Sequence, residues 1–305
     1  MIYTCTLNPS LDYYVWVKDW EKGKDHRFTQ WHVQAGGKGI NVSRFLSMLH
    51  IKTTALGFLG GPIGQMLQDL LDDYPYVRSQ FIHVDSPTRI NIKVMDQNIE
   101  TAFNHEGSPI NSTDIASLLQ QIEGLGPDDL LVLSGSVPPH QQEIYQQIAS
   151  LCHKHQIRWI LDVDGCYYAS LWPYKPWMVK PNVDELSRYV GKKLNHEKDI
   201  LDAARSIQKQ GVSHVLVSLG SKGSYYLCND HMSYIGPEKV TPLSTTGAGD
   251  SMVAGFIYGM LNGKKGDDLH QWIAQCALNI ITGQDINYPR NMVPIRRIDS
   301  KEDVT

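Results

Sequence analysis

A chain of 305 residues, 42% of them hydrophobic and 20% charged, has room for one large α/β domain or two smaller ones around a buried core. A net charge of −4 gives no electrostatic footprint for nucleic acid or an anionic membrane, so any cations that meet an anionic ligand must be gathered locally. The five scattered cysteines include no Cys-x-x-Cys pair, no basic-then-apolar leader opens the chain, and no apolar run reaches membrane-spanning length. A cytoplasmic protein without a disulfide framework or zinc site is therefore expected.

Residues 2–7 read as a buried first strand, closed by Asn8-Pro9-Ser10-Leu11-Asp12. Residues 14–20 and 27–33 have aromatic, strand-like character, with a turn at 21–25. Gly36-Gly37-Lys38-Gly39-Ile40-Asn41 then opens a helix in which Val42, Phe45, Leu46 and Leu49 share a face. Further on, expected strands at 54–58, 130–133, 158–163, 178–179 and 214–219 alternate with expected helices near 63–71, 115–122, 141–154, 183–190 and 200–209. That alternation predicts a mostly parallel sheet covered by helices on both faces.

Two stretches, about 12–33 and 88–104, break the alternation. Ile90, Ile92 and Val94 alternate with Asn91, Lys93 and Met95, which suits a sheet with one face partly polar. A small β-sheet lying as a lid over the mouth of the main sheet is expected, inserted in a single domain spanning 1–305; two surface hairpins are the plainer alternative. The stretch 284–305 has little periodicity and is expected to fray.

The chemistry concentrates at Gly247-Ala248-Gly249-Asp250, ahead of a helical pattern in which Met252, Phe256 and Met260 recur. Glycines before a helix N-terminus leave backbone N–H groups pointing outward, an anion hole. Asp250 at its mouth would repel a merely bound phosphate. It fits a general base between a transferring phosphoryl group and an acceptor hydroxyl, and it equally fits a helix cap.

Lys38 supplies a cation beside glycines, among them Gly37, that let backbone approach a polar ligand, and Asn41 can bond sugar hydroxyls in both directions. Arg89 offers a forked phosphate ligand, and Arg27 is a third candidate that equally suits a lid surface. Asp12 suits hydroxyl donors, or shapes a turn. Ser136 follows an expected core strand, where open α/β sheets place ligands. Asn182 and Glu185, three apart, share a helix face and also read as a capping box. No Walker loop, dinucleotide fingerprint or helical His pair survives its spacing test: residues 259–265 fall one short of a P-loop, and His153 and His155 lie two apart.

Four motifs in this order, Thr6 to Asp12, Gly36 to Arg44, Lys180 to Leu186 and Gly247 to Asp250, together resemble the PfkB (ribokinase-like) carbohydrate kinase family. The motifs are most similar to its 1-phosphofructokinase branch, with tagatose-6-phosphate kinases close behind. The resemblance implies a ribokinase-like fold, ATP and Mg²⁺ as co-substrates and often dimerisation through the lid. ATP-dependent phosphorylation of fructose 1-phosphate is the expected reaction, with a tagatose-6-phosphate kinase or a non-catalytic sugar-phosphate or nucleotide sensor as the alternatives. It implies that Lys38, which relatives acting on neutral sugars commonly lack, marks a phosphorylated substrate, and that Asn104 resembles a lid asparagine of the 1-phosphofructokinases. It implies that Asn182 and Glu185 organise Mg²⁺, often through water, with Lys180 on the nucleotide side; Ser218, Gly220 and Gly223 lie near ribose or phosphates, and Asn279 is a candidate for the adenine. Residues 161–168 are bulkier than the Asp-x-Ser-Gly of the family, so an altered floor of the substrate site is expected.

Overall fold

A turn of three residues after the first strand sends the chain out of one sheet and into another, and this early excursion brings the two halves of the site together. The computed structural model describes residues 1–97, 99–290 and 294–298. It begins with β1 (Ile2–Thr6), β2 (Ser10–Trp16), β3 (Gln30–Gly36), α1 (Lys38–Met48), β4 (Thr53–Gly60), α2 (Gly61–Asp72), β5 (Val77–Ser79) and β6 (Ile82–Val84). There follow β7 (Arg89–Asp96), β8 (Ile99–Asn104), α3 (Ser112–Glu123), β9 (Leu130–Gly135), α4 (Ile144–Lys154), β10 (Arg158–Val163), a short α5 (Tyr168–Leu171) and β11 (Met178–Val179). The last third holds α6 (Val183–Val190), α7 (Glu197–Lys209), β12 (His214–Ser218), β13 (Ser224–Cys228), β14 (His231–Ile235), α8 (Ala248–Leu261), α9 (Gly266–Ile281) and β15 (Ile295–Arg297).

Among the described residues the main sheet has 11 strands in the order β15-β14-β13-β12-β11-β10-β9-β1-β4-β5, with β6 also on β4. From β5 to β12 the pairing is parallel, and β12 to β15 is antiparallel. The parallel strands are apolar on both sides because helices cover both faces. Leu131, Leu133, Trp159 and Leu161 pack toward Leu118, Ile148 and Ile207 on one face. Val132, Ile160 and Leu216 pack toward Val42, Val253 and Phe256 on the other. The mostly parallel α/β sandwich expected from the sequence is the architecture found.

The second sheet, in the order β3-β2-β7-β8, is separate from the first. Its central pair is parallel, with Ser10 beside Arg89 and Asp12 beside Asn91. It starts earlier than expected, at Ser10, and β3 runs on to Gly36, so the Gly36-Gly37 pair ends a strand instead of floating in a loop. Its polar face turns inward: Ser10, Asp12 and Asn91 are buried. Its apolar face turns outward, leaving Trp31 58%, Phe103 51% and Ile92 44% exposed.

The β13–β14 hairpin, α9 and β15 carry signals too short or too uniformly apolar to separate by period alone. The 284–305 stretch holds more structure than its weak periodicity suggests, for Ile295 pairs with Ile235 and extends the sheet edge; residues 291–293 and 299–305 lie outside the described residues. Among the described residues no helix is long and apolar enough to cross a membrane.

Candidate active site

Asp250 stands in the first turn of α8 and is buried. The helix is capped by Gly247 in the left-handed region (φ 83°), with no side chain bonding its first amides. Most side chains resist that backbone conformation, and glycine does not. The N–H groups of Gly247 and Gly249 find no acceptor among the described residues, while Ala248 makes only a long 3.4 Å contact to the Thr245 carbonyl. These amides are the unpaired donors of a helix start, electropositive and aimed outward.

A carboxylate at such a place needs a reason to stay put. Asn41 Nδ2, one turn into α1, donates to Asp250 Oδ2 over 2.8 Å. Burial raises the Asp250 carboxyl to a pKa of about 6, and the nearby charge of Asp162 adds to this. The Asn41 amide, Lys38 and Lys180 work in the opposite direction. The result is a carboxylate that is ionised at neutral pH and yet basic enough to accept a proton.

Asp162, at the end of β10, has no solvent exposure and sits between two ammonium groups. Its Oδ1 accepts from Lys38 Nζ at 2.9 Å and faces Lys180 Nζ at 3.3 Å. Burial alone would raise its pKa, but Lys180 and Lys38 outweigh it and hold the carboxyl below the usual range. Lys38 also lies 3.5 Å from Glu185 Oε1. Burial pulls against the charge of Lys38, yet Asp162 and Glu185 prevail and its pKa is raised. Lys180 Nζ lies so near the amides of α8 that a methyl group on Gly249 would come within 3.0 Å of it. Two fixed cations therefore stand beside the anion hole with one buried counter-charge between them.

On the lid side, Asp12 Oδ1 accepts from Ser10 Oγ (2.8 Å) and Asn91 Nδ2 (2.9 Å). Arg89 donates through Nε and Nη2 to the Asn8 carbonyl (3.1 and 3.0 Å) and through Nη1 to the His105 carbonyl (2.6 Å). Asn8 Nδ2 reaches Ser136 Oγ at 3.2 Å, so Ser136 and Arg89 share one neighbour. Asn104 ends β8 and accepts from Lys93 Nζ at 3.3 Å.

On the opposite side, Asn182 and Glu185 form a reciprocal capping box at the start of α6, each bond 2.8 Å. Asn182 bridges to Ser218 at the end of β12, and a single 3-10 turn over Gly220–Lys222 follows. Gly220 and Gly223 bracket that turn with positive φ.

The family model described as "pfkB family carbohydrate kinase" matches residues 7–284. The chain belongs to that family. It is 36% identical to a 1-phosphofructokinase of Bacillus subtilis (strain 168) over 263 residues, 85% of this chain and 86% of the relative. It is 33% identical to a 1-phosphofructokinase of Borreliella burgdorferi over 270 residues, covering 88% and 87%. Among solved structures, phosphofructokinase-2 from Escherichia coli in complex with fructose-6-phosphate superposes with a TM-score of 0.86 at 29% identity, covering 93% of this chain and 94% of that one. As a pfkB carbohydrate kinase, the protein transfers a phosphoryl group from ATP to a sugar.

Three sequence expectations look different in this kinase. Lys38, Arg89 and Arg27 have separate protein neighbours: Lys38 sits with Asp162, Glu185 and Asp250, Arg89 sits with Asn8 and His105, and Arg27 is exposed between β2 and β3. Asn41 is engaged with Asp250 through its nitrogen and with Arg44 through its oxygen, so it serves the carboxylate before any sugar. Asn279 is fully buried, and its amide is spent on the 286–290 loop through the carbonyls of Ile286 (3.0 Å) and Tyr288 (2.8 Å) and through Arg290. It pins that loop and presents nothing to an adenine.

Asp162 is the member that the sequence reading left out. Its signal was an acidic residue directly after the buried run Ile160-Leu161, at the carboxyl end of a parallel strand. That is where open α/β sheets bind their ligands.

Proposed function

We propose that this kinase phosphorylates fructose 1-phosphate at its free primary hydroxyl, forming fructose 1,6-bisphosphate. The observation that carries the reading is Asp250, buried, held by Asn41 and set at the mouth of free helix amides. The acceptor hydroxyl oxygen bonds to the γ-phosphorus of ATP, the bond from that phosphorus to the bridging oxygen of ADP breaks, and the hydroxyl proton passes to Asp250. The amides of Gly247, Ala248 and Gly249, with Lys180 and Lys38 beside them, offset negative charge on the moving group. Arg89 and Ser136, backed by Asn8, take the phosphate already on the sugar, while Asp12 and Asn104 orient its hydroxyls. Lys180, Asn182, Ser218, Gly220 and Gly223 line the nucleotide side. The chain works as one catalytic unit, and its second sheet closes over the sugar to exclude water.

Among the described residues no group of three or more His, Cys, Asp or Glu side chains could cage a metal. Among the described residues Asp162 Oδ2 is buried without a partner, and Glu185 stands with Asp162 beside Lys38. Such a donor set fits Mg²⁺ that keeps much of its water and is held mainly by phosphate oxygens. When bound, the ion neutralises charge on the transferring phosphates. Asn182 holds Glu185 in place for that role through the capping box.

The row Val33, Tyr13, Ile92 and Phe103 runs across four strands on the outer face of the lid, and Trp31 stacks on Tyr13 with ring centroids 5.7 Å apart. This apolar face supports a homodimer formed lid to lid. The five free cysteines suit the reducing cytoplasm.

A kinase panel tests the substrate: fructose 1-phosphate, tagatose 6-phosphate, fructose 6-phosphate and unphosphorylated sugars, each with ATP and Mg²⁺. The highest kcat/KM is expected for fructose 1-phosphate. A higher value for any other sugar overturns the assignment, and nucleotide binding without turnover on any of them overturns the kinase chemistry.

A further inference from the structure

Helix α1 carries Lys38, Asn41 and Arg44 at three-residue intervals, so all three lie along one face. The first stands among the charges around Asp162, the second holds Asp250, and the third has no part in the reading above. Arg44 is half-buried, and all three nitrogens of its guanidinium have partners. Its Nη1 donates to Asn41 Oδ1 and to the Ala35 carbonyl, both at 3.1 Å. Its Nε donates to the Tyr74 hydroxyl at 3.0 Å, and Nη2 lies 3.5 Å from Gln34 Oε1.

Gln34 and Ala35 belong to β3, a strand of the lid. Gln34 Nε2 donates in turn to the Tyr14 hydroxyl on β2 at 3.0 Å. A continuous polar path thus runs from the lid through Arg44 and Asn41 to the carboxylate of Asp250.

The path also has a direction. A guanidinium only donates, so the Asn41 oxygen must face Arg44 and the Asn41 nitrogen must face Asp250. Turned the other way, the amide would set donor against donor at one end and acceptor against carboxylate at the other. Both errors would be buried, where unmade hydrogen bonds are most costly.

We propose that Arg44 is a positioning residue for phosphoryl transfer: it fixes the Asn41 amide toward Asp250 and makes that orientation depend on lid strand β3. The proposal rests on Asp250 as the base. With β3 in place the carboxylate is aimed; when the lid shifts, Arg44 loses Gln34 and Ala35, and the Asn41 amide is no longer fixed. Transfer is thereby linked to a covered site, where water is absent as a competing acceptor.

The test compares Arg44→Met, Arg44→Lys and Gln34→Met with Asp250→Asn, measuring kcat, KM for both substrates, the acid limb of kcat against pH, and the melting temperature. Arg44→Met is expected to lower kcat about 10- to 100-fold with KM for ATP nearly unchanged. Its acid limb should move to higher pH, because a freed Asn41 no longer stabilises the ionised carboxyl. The other groups facing Asp250, namely Asp162 on β10, Lys180 ahead of α6 and Lys38 on α1, stay as they were. Arg44→Lys keeps the charge and one donor and should recover part of kcat. Gln34→Met should move kcat and the limb the same way to a smaller extent, and it carries the test if Arg44→Met does not fold.

A variant that only melts lower, with wild-type kcat and an unmoved limb, makes Arg44 a brace and overturns the proposal while leaving Asp250→Asn inactive. Near-normal turnover of Asp250→Asn overturns the base itself, and this relay with it.

Discussion

Asn41 and Asp250, 209 residues apart in the chain, meet in a 2.8 Å hydrogen bond that sets the working end of the molecule. One residue lies one turn into α1, directly after β3, and the other lies in the first turn of α8. Folding the two helices against the same face of the sheet turns a weak acid in a dry place into an oriented one.

A carboxyl whose pKa rises to about 6 on folding costs the fold stability. The unfolded group ionises near its ordinary 3.8, so the loss begins above that pH and is complete above about 6. Asp250→Asn keeps an oxygen for Asn41 to bond and removes the buried charge. Its melting temperature should exceed the wild type by several degrees at pH 8, and the gap should close as pH falls toward 4. Scanning calorimetry at both pH values checks this; a lower melting temperature at pH 8 would mean the ionised carboxyl stabilises the fold.

Arg89 lies on the lid side, held to the carbonyls of Asn8 and His105, with donors to spare for an anion. Arg89→Ala should reduce kcat/KM for fructose 1-phosphate by about 10- to 100-fold, the worth of a charged hydrogen bond or two, with little change for free fructose. Equal losses on both sugars would make Arg89 a brace for its strand.

Much of this was legible in the sequence for a physical reason. Helices and parallel strands that bury whole faces leave strong periodicity, and glycines next to a helix start have few other uses. What stayed hidden depends on partners far along the chain. Asp162 has no local pattern, and its importance comes from Lys38 and Lys180 arriving from two other segments. Lys38 reads from the sequence as a cation for a phosphate, and the two carboxylates beside it, Asp162 and Glu185, lie too far along the chain for a sequence to display. Asn279 reads as a candidate for the adenine because the 286–290 loop that buries it has no period.

His270 is buried and neutral, its two ring nitrogens each 2.8 Å from a serine hydroxyl, Ser224 and Ser233. Burial lowers its pKa to about 3, and burial lowers that of His214, bonded to Tyr226, to about 4. Both depressed values mean that stability is fully present above about 6.5 and drains away as pH falls through the window down to 3–4. His270→Gln should flatten the fall of melting temperature between pH 6.5 and 4, though it starts lower at pH 8. An unchanged slope would assign acid lability elsewhere.

The outer face of the lid gives a prediction about assembly. Trp31→Asp and Ile92→Asp place charges on an exposed apolar row and should be tolerated by the fold. If two copies meet there, both variants sediment as monomers where the wild type sediments as a dimer. Wild-type sedimentation of both would exclude that face as the interface.

The central claim is proton removal by Asp250, and it is tested most directly by the turnover of Asp250→Asn with saturating ATP, Mg²⁺ and fructose 1-phosphate. The account predicts a kcat lower by at least ~10²-fold with KM for the sugar within a few-fold of wild type. A kcat close to that of the wild type, in a protein that folds and binds both substrates, would contradict it.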